Sequence, residues 1–332
     1  MAYCNLRDRK DRPDPKNFMF DSLENETNDK KPGEISGQQF IIQNCKQSKL
    51  YLIDHSATVT VDDCTGCDIV IGPCKGSVFI RDCSDCRFLI YCQQFRTRDC
   101  KNLTIWLFCQ TQPIIEESKK VEFGCIQLQY DELPSQFDSA KLSPFNNRWS
   151  EIHDFTPPGK GEGLNFALIG EEKANESNFE DLTTVAPSAI CNSQNGFVPL
   201  TSGNRRKPSS EVALVFLFSL DKTKDSKPEK GQKEICLDYI RKVTETGRCQ
   251  LVRTKELTMQ PRDLERIIET ADKNKLAETG PIIGMEWCGE GVTITCQTSA
   301  KNMETAAQFY IATNPETQLR NFYSFADMQL GV

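Results

Sequence analysis

A short motif repeated four times in the first third of the chain constrains the fold more than any other feature. Asn44-Cys45, Asp63-Cys64, Asp82-Cys83 and Asp99-Cys100 each close a stretch of alternating or continuous apolar residues, at intervals of 19, 19 and 17 residues. A period near twenty lays down one structural rung per repeat. A single rung cannot bury its own apolar face, so each must cover the next. The stretches between are short and rich in β-branched and aromatic residues: Leu50-Tyr51-Leu52-Ile53, Thr58-Val59-Thr60-Val61, Asp68-Ile69-Val70-Ile71, Ser77-Val78-Phe79-Ile80, Phe88-Leu89-Ile90-Tyr91 and Leu103-Thr104-Ile105-Trp106. Gly, Asp and Asn turns separate them. Evenly spaced half-rungs of this length fit a parallel β-helix better than a sandwich.

At 332 residues the chain has room for two cores. Residues 1–35 read as a polar leader, and 36–157 as the β-helix. The stretch from Phe145-Asn146-Asn147-Arg148-Trp149 to Phe155 is expected to fold back over an end of it, since an open solenoid edge invites pairing with other chains. Residues 158–210, with Pro157-Pro158-Gly159 at their head and Arg205-Arg206-Lys207-Pro208 near their end, read as a linker. From 211 to 332 strand and helix alternate, which predicts an α/β or α+β domain. A strand near 211–219 leads to a helix with apolar Ile235, Tyr239, Ile240 and Val243, capped near Gly247. A strand at 249–254 is followed by a helix opening at Pro261, with Leu264, Ile267, Ile268 and Ala271 on one face. Strands at 281–287 and 291–296 flank Gly289-Glu290-Gly291, and a helix follows near 300–312.

The net charge of −7 argues against nucleic acid as a partner, because phosphate neutralisation needs a basic surface. The N-terminal decapeptide is charged and lacks an apolar core, and the longest apolar run, Val212 to Phe218, is too short to cross a bilayer. A cytoplasmic, reducing compartment follows, so the sixteen cysteines need a reason other than disulfides. Cys64-x-x-Cys67 and Cys83-x-x-Cys86, separated by 15 residues, have the spacing of a zinc ribbon. The repeat favours packing instead. The slot of Cys67 and Cys86 holds Ser48 one rung earlier and Leu103 one rung later, and Cys74, Cys92 and Cys109 form a further ladder of interior thiols. No metal is expected. Pro158-Gly159-Lys160-Gly161 lacks the glycine and the Ser/Thr that a phosphate-binding P-loop requires. The only histidines, His55 and His153, lie outside the C-terminal domain and read as structural hydrogen-bonding residues.

The last rung carries Cys92-Gln93-Gln94-Phe95-Arg96-Thr97-Arg98-Asp99-Cys100. In a strand Arg96 and Arg98 share one face. Two like charges there do not stabilise a sheet by themselves. They are either surface arginines bridged to acids such as Asp99 or Glu116, or an anion-binding group on a rigid support, for which the forked and permanently charged guanidinium is suited.

The span from Gln38 to about Pro157 resembles the tubulin-cofactor-C / cyclase-associated-protein family of right-handed β-helix domains. The resemblance is carried by Gly37-Gln38-Gln39-Phe40, Asp54-His55-Ser56-Ala57-Thr58-Val59-Thr60, Gly76-Ser77-Val78-Phe79, Cys92-Gln93-Gln94-Phe95-Arg96, Thr111-Gln112-Pro113-Ile114-Ile115-Glu116, Phe145-Asn146-Asn147 and Ile152-His153-Asp154-Phe155-Thr156-Pro157. It implies a GTPase-activating protein for the GTP-bound form of an Arf-like small GTPase associated with cilia, with GTP and magnesium supplied by that partner. Arg96 would be the arginine finger and Gln94 would orient it or the GTPase's own residues. Gln93, Arg98, Glu116 and Phe145 would belong to the docking surface. A non-catalytic effector or scaffold of the same family is the alternative, and a zinc-stapled adaptor is a third. The C-terminal part resembles the ferredoxin-like nucleoside diphosphate kinases in Gly280-Pro281-Ile282-Ile283-Gly284-Met285-Glu286-Trp287 and Ala312-Thr313-Asn314-Pro315. Ser324 stands where those enzymes carry their phosphate-accepting histidine, which implies no kinase activity. The resembled proteins carry a glycine after the initiator methionine and a cysteine beside it, suited to double acylation and peripheral membrane attachment. Ala2 and Tyr3 occupy those places here, so N-myristoylation has no acceptor, and Cys4 is the remaining acylation candidate.

Overall fold

The computed structural model describes residues 14–159, 161–170, 179, 182–191, 196–205, 207–218, 230–268, 280–303, 309–312 and 314–329. Ala2, Tyr3, Cys4, Lys160, Arg206, Ala271 and Thr313 lie outside them. Ten strands run in order from the start: β1 (Met19–Asp21), β2 (Thr27–Lys30), β3 (Phe40–Gln43), β4 (Lys49–Leu52), β5 (Val59–Asp62), β6 (Asp68–Arg81), β7 (Arg87–Arg98), β8 (Lys101–Cys109), β9 (Ile114–Glu116) and β10 (Lys119–Cys125). All pair in parallel with the rung above or below. This is the parallel solenoid that the repeat requires.

The repeat's chemistry lies in its corners. Asn44, Asp63, Asp82 and Asp99 all have a positive φ, between 50° and 55°. Asn and Asp tolerate this left-handed conformation better than other residues with a Cβ. The cysteine that follows turns inward and its thiol donates to the carbonyl two residues back. Cys45 bonds Gln43 at 3.2 Å, Cys64 bonds Asp62 at 3.3 Å, Cys83 bonds Arg81 at 3.0 Å and Cys100 bonds Arg98 at 3.2 Å. Ser118 makes the same bond to Glu116 at 2.8 Å. At the second corner Cys67, Cys86 and Ser48 bond Thr65, Ser84 and Lys46 in that way. The first-corner slot holds a small side chain with one donor, which is why Cys and Ser exchange there, whereas the second-corner slot also admits Leu103. All fifteen cysteines among the described residues are unpaired thiols, and no group of His, Cys, Asp or Glu among those residues is arranged to hold a metal ion.

The two long faces of the solenoid differ in what covers them. Leu50, Ile69, Phe88 and Ile105 point inward from one face, and Tyr51, Val70, Leu89 and Trp106 point outward from it, yet all are buried. The outward set is covered by 126–142, including helix α1 (Leu133–Ala140), and by Ile169, Phe179, Ala186, Ala189 and Val198, with helix α2 (Leu182–Val185). That double burial explains the continuous apolar runs at this face. On the other face Val59, Val61, Val78, Ile80 and Phe95 are buried, while Thr60, Phe79 and Arg96 look out to solvent. Alternation there records one wet side.

Two boundaries move. The polar leader ends before residue 15, not at 35. Strand β1 pairs with β3, and Phe20 and Ile35 belong to the solenoid core. The expected linker is part of the fold. Strand β12 (Phe166–Leu168) pairs with β10, and Ser202 N donates to Leu251 O at 2.8 Å. Short polar segments can be built in because their backbone groups find ladder partners. The covering segment behaves as expected: Trp149 enters the solenoid core and β11 (His153–Asp154) pairs with β9.

The C-terminal domain is an antiparallel sheet in the order β14 (Cys249–Leu257), β15 (Ile282–Gly289), β13 (Val212–Leu217), β16 (Phe309–Ile311). Helix α3 (Gln232–Thr244) connects β13 to β14 and α5 (Val292–Lys301) connects β15 to β16, both packed on one face. Helix α4 (Pro261–Leu264) and α6 (Pro315–Gln329) cover the other. The topology is that of a split βαβ, ferredoxin-like unit. The expected strand 291–296 is the start of α5. Its Val, Ile and Thr residues favour strands, but Val292, Thr295, Cys296 and Ser299 fall three and four apart and are buried together. Packing overrode propensity. The helix expected near 300–312 is displaced accordingly: α5 ends at Lys301 and residues 309–311 are strand β16. No helix among the described residues is long and apolar enough to cross a membrane.

Candidate functional site

The uncovered face of the solenoid brings the sequence candidates together. In β7, Gln94, Arg96 and Arg98 are exposed, while Phe95 and Thr97 are buried. The Thr97 hydroxyl donates to Ser118 Oγ at 3.2 Å, and the Phe95 and Phe123 rings meet edge to face with centroids 5.9 Å apart. The strand is thus locked from inside, and the exposed side chains ride on a rigid support. Arg96 is laterally paired with Phe79 on β6 and Ile114 on β9. No hydrogen-bond or ion-pair partner among the described residues engages its guanidinium. A permanently charged fork with no partner among the described residues leaves its donors open to solvent or to an external anion.

Of the flanking charges, Asp62, Arg81 and Arg98 are engaged. Along the next column Asp62, Arg81, Arg98 and Glu116 are laterally aligned. Arg81 bonds Asp62 and lies over the Phe79 ring, 5.4 Å from its centroid. Arg98 Nε is 3.3 Å from Asp99 Oδ2, an exposed pair worth little to stability. Gln93 is half-buried and its carbonyl accepts from Thr111 N and Thr111 Oγ1 at 3.0 and 3.1 Å.

Phe145 is elsewhere. It is fully buried, packed with Ala213, Val215, Tyr239 and Trp287 in the C-terminal core, and its carbonyl accepts from Thr254 Oγ1 at 2.7 Å. It is removed from the docking surface. Beside it Asn146 forms a two-way bridge with the backbone of Glu256, at 3.1 and 2.8 Å, joining the solenoid's covering segment to the edge of β14.

Phe155 was missed by the sequence reading. It is 55% exposed and its ring stacks edge to face on His153 at 4.6 Å. His153 is laterally paired with Ile114, one position beyond Arg96. Half-buried Phe79 and Ile114 therefore flank Arg96 on its two sides, and exposed Phe155 lies further out on the same surface, against His153. The alternation in Ser77-Val78-Phe79-Ile80 already pointed Phe79 outward. Phe155 left no such signal, because its exposure depends on where the covering segment ends. His55 is structural: Asp54 accepts from Ile35 N, Ser36 N and His55 N at 2.8, 2.7 and 2.8 Å, with the His55 ring 3.2 Å away.

The C-terminal domain holds its charges differently. Glu286, almost fully buried in β15, is bonded by Lys207 Nζ and Arg253 Nε, both at 2.6 Å, and the Arg253 guanidinium lies over Tyr323, 3.5 Å from the ring centroid. Ser324 sits on the exposed side of α6.

The solenoid with its folded-back covering segment is the part of the chain that the family described as "Tubulin binding cofactor C" matches, at residues 37–155. Beyond this domain the likeness extends over nearly the whole chain. Protein XRP2 of Danio rerio is 40% identical over 340 residues, covering 98% of this chain and 86% of that protein. Protein XRP2 of Homo sapiens is 40% identical over 335 residues, covering 98% and 92%. Tubulin-specific chaperone C of Homo sapiens is 26% identical over 157 residues, covering 47% of this chain. This chain belongs to the XRP2 family.

Proposed function

We propose that this protein is a GTPase-activating protein for the GTP-bound form of an Arf-like small GTPase, contributing Arg96 in trans. The observation that carries this reading is the Arg96 guanidinium, exposed and without a partner among the described residues, on a sheet locked from inside. GTP and magnesium belong to the partner. An arginine entering that site stabilises the charge spread over the transferring phosphoryl oxygens, an effect worth roughly 10³–10⁵ in rate. Gln94 lies on the same face and orients the finger or the partner's own residues. Gln93, Arg98 and Glu116 form the polar part of the docking surface, and Phe79, Ile114 and Phe155 its apolar part. A place in ciliary trafficking of lipidated proteins is the matching cellular reading, and Cys4 the matching candidate for acylation.

The C-terminal domain is read as a nucleoside-diphosphate-kinase-like unit without phosphotransfer. A phosphoryl-carrying residue needs a basic nitrogen at neutral pH, and Ser324 has none. The family resemblance also supports a second reading, an effector or scaffold that binds the GTPase without accelerating hydrolysis.

Single-turnover GTP hydrolysis by an Arf-like GTPase, measured with wild type and Arg96→Ala, separates the two. Acceleration that collapses in the variant while affinity is largely retained supports the finger. Binding without acceleration by either form overturns it.

A further inference from the structure

Ser77 and Gln94 are laterally paired across β6 and β7, immediately before the Arg96 position. Ser77 follows a corner whose path is closely set: a Cβ on Gly76 would come within 2.7 Å of Ala57 O. From this fixed position Ser77 Oγ donates to Gln94 Oε1 at 2.8 Å. A carboxamide has one accepting end and one end with two donors. With its oxygen held by Ser77, the amide of Gln94 presents its NH2 group to the surface. Arg96, two residues along on the same face, has donors only.

We propose that Ser77 is a positioning residue that fixes the Gln94 amide with its NH2 outward, so that Gln94 and Arg96 together form an all-donor patch that engages an oxygen acceptor of the GTPase–nucleotide complex. This rests on the reading of the Arg96 face as a GTPase-activating surface. It adds the polarity of the Gln94 contact and the residue that sets it. A serine hydroxyl can donate or accept; here it donates to the Gln94 amide oxygen, which leaves the NH2 group for the partner.

The test uses the full chain with a GTP-loaded Arf-like GTPase and reads both single-turnover rate and affinity. Ser77→Ala should lose about 2- to 10-fold, the factor corresponding to one hydrogen bond of ordinary strength, at an unchanged melting temperature. Ser77→Thr should restore it, because the hydroxyl is kept. In a Gln94→Ala background Ser77→Ala should be silent, since its effect passes through Gln94. Gln94→Glu should fall below Gln94→Ala, because a carboxylate turns oxygen towards oxygen. Loss in rate alone places the acceptor on the transferring phosphoryl group, and loss in affinity alone places it on the GTPase. An inert Ser77→Ala, an equal loss in the Gln94→Ala background, or a fully active Gln94→Glu overturns the proposal. If wild type binds but does not accelerate, the activator reading fails by itself. The affinity order of Gln94→Glu below Gln94→Ala then still decides whether the amide acts as a donor.

Discussion

Arg96 and Arg253 sit on strands of the two domains and meet opposite fates. Arg96 stands between Phe79 and Ile114 with no acid among the described residues against it. Arg253 is held between the Glu286 carboxylate and the Tyr323 ring, with Lys207 completing the cluster. The solenoid displays charge on a face that no described residue covers, whereas the C-terminal domain pairs charge within a sheet covered on both sides. A buried carboxylate must be paired or it destabilises the fold, so the arginines near it have structural work. An exposed arginine with no partner among the described residues contributes little to stability through its charge.

The sharpest way to break this contrast is a pair of substitutions. Arg96→Ala should cost roughly 10³–10⁵ in the acceleration of GTP hydrolysis, and Arg96→Lys should recover little of it, while the melting temperature stays put. Arg253→Met should do the reverse, lowering unfolding free energy by about 3 kcal/mol in denaturant titration and leaving the acceleration by folded protein intact. Phe145→Ala tests whether the covering segment serves docking or the core. A loss of about 3–5 kcal/mol in stability, without change in the affinity of folded protein for the GTPase, is expected from its burial.

Lys255 sharpens the comparison through pH. It is almost fully buried, its Nζ has no hydrogen-bond partner among the described residues, and burial pushes its pKa down from 10.5 to about 8. Between those values the unfolded chain keeps a proton that the folded chain has released, so stability should rise with pH across that window. Below it both states are protonated and the folded state bears the full penalty of an unpartnered ammonium. Lys255→Met should flatten this rise and add about 1–3 kcal/mol at neutral pH, measured by denaturant titration at a series of pH values. The smallest effect belongs to the corners. Asp63 has φ 51°, so Asp63→Val should cost about 1–2 kcal/mol and Asp63→Gly should be tolerated.

The solenoid was legible because its constraint is local and recurs. Four successive rungs place an Asn or Asp in the left-handed conformation with a small inward donor after it, and those two features print the Asn/Asp-Cys repeat. The direction of Arg96 and Arg98 followed from strand alternation alone. The start of the solenoid was not legible, because Met19–Asp21 and Thr27–Lys30 obtain their order from pairing with later rungs and carry little apolar pattern of their own. Val292 to Cys296 misled for the opposite reason: residues with strand propensity were drawn into a helix by the face they bury.

Residue order was enough to establish the repeat, the two domains, the thiol interior and the outward face of the arginines, because all of these follow from neighbours within one rung or one helical turn. Which face stays uncovered, where Phe145 and Phe155 end up, that Arg253 is taken and Arg96 is not, and which end of Gln94 looks outward were decided by the tertiary structure. Those properties depend on what packs against a side chain from segments tens of residues away, and no local pattern carries that information.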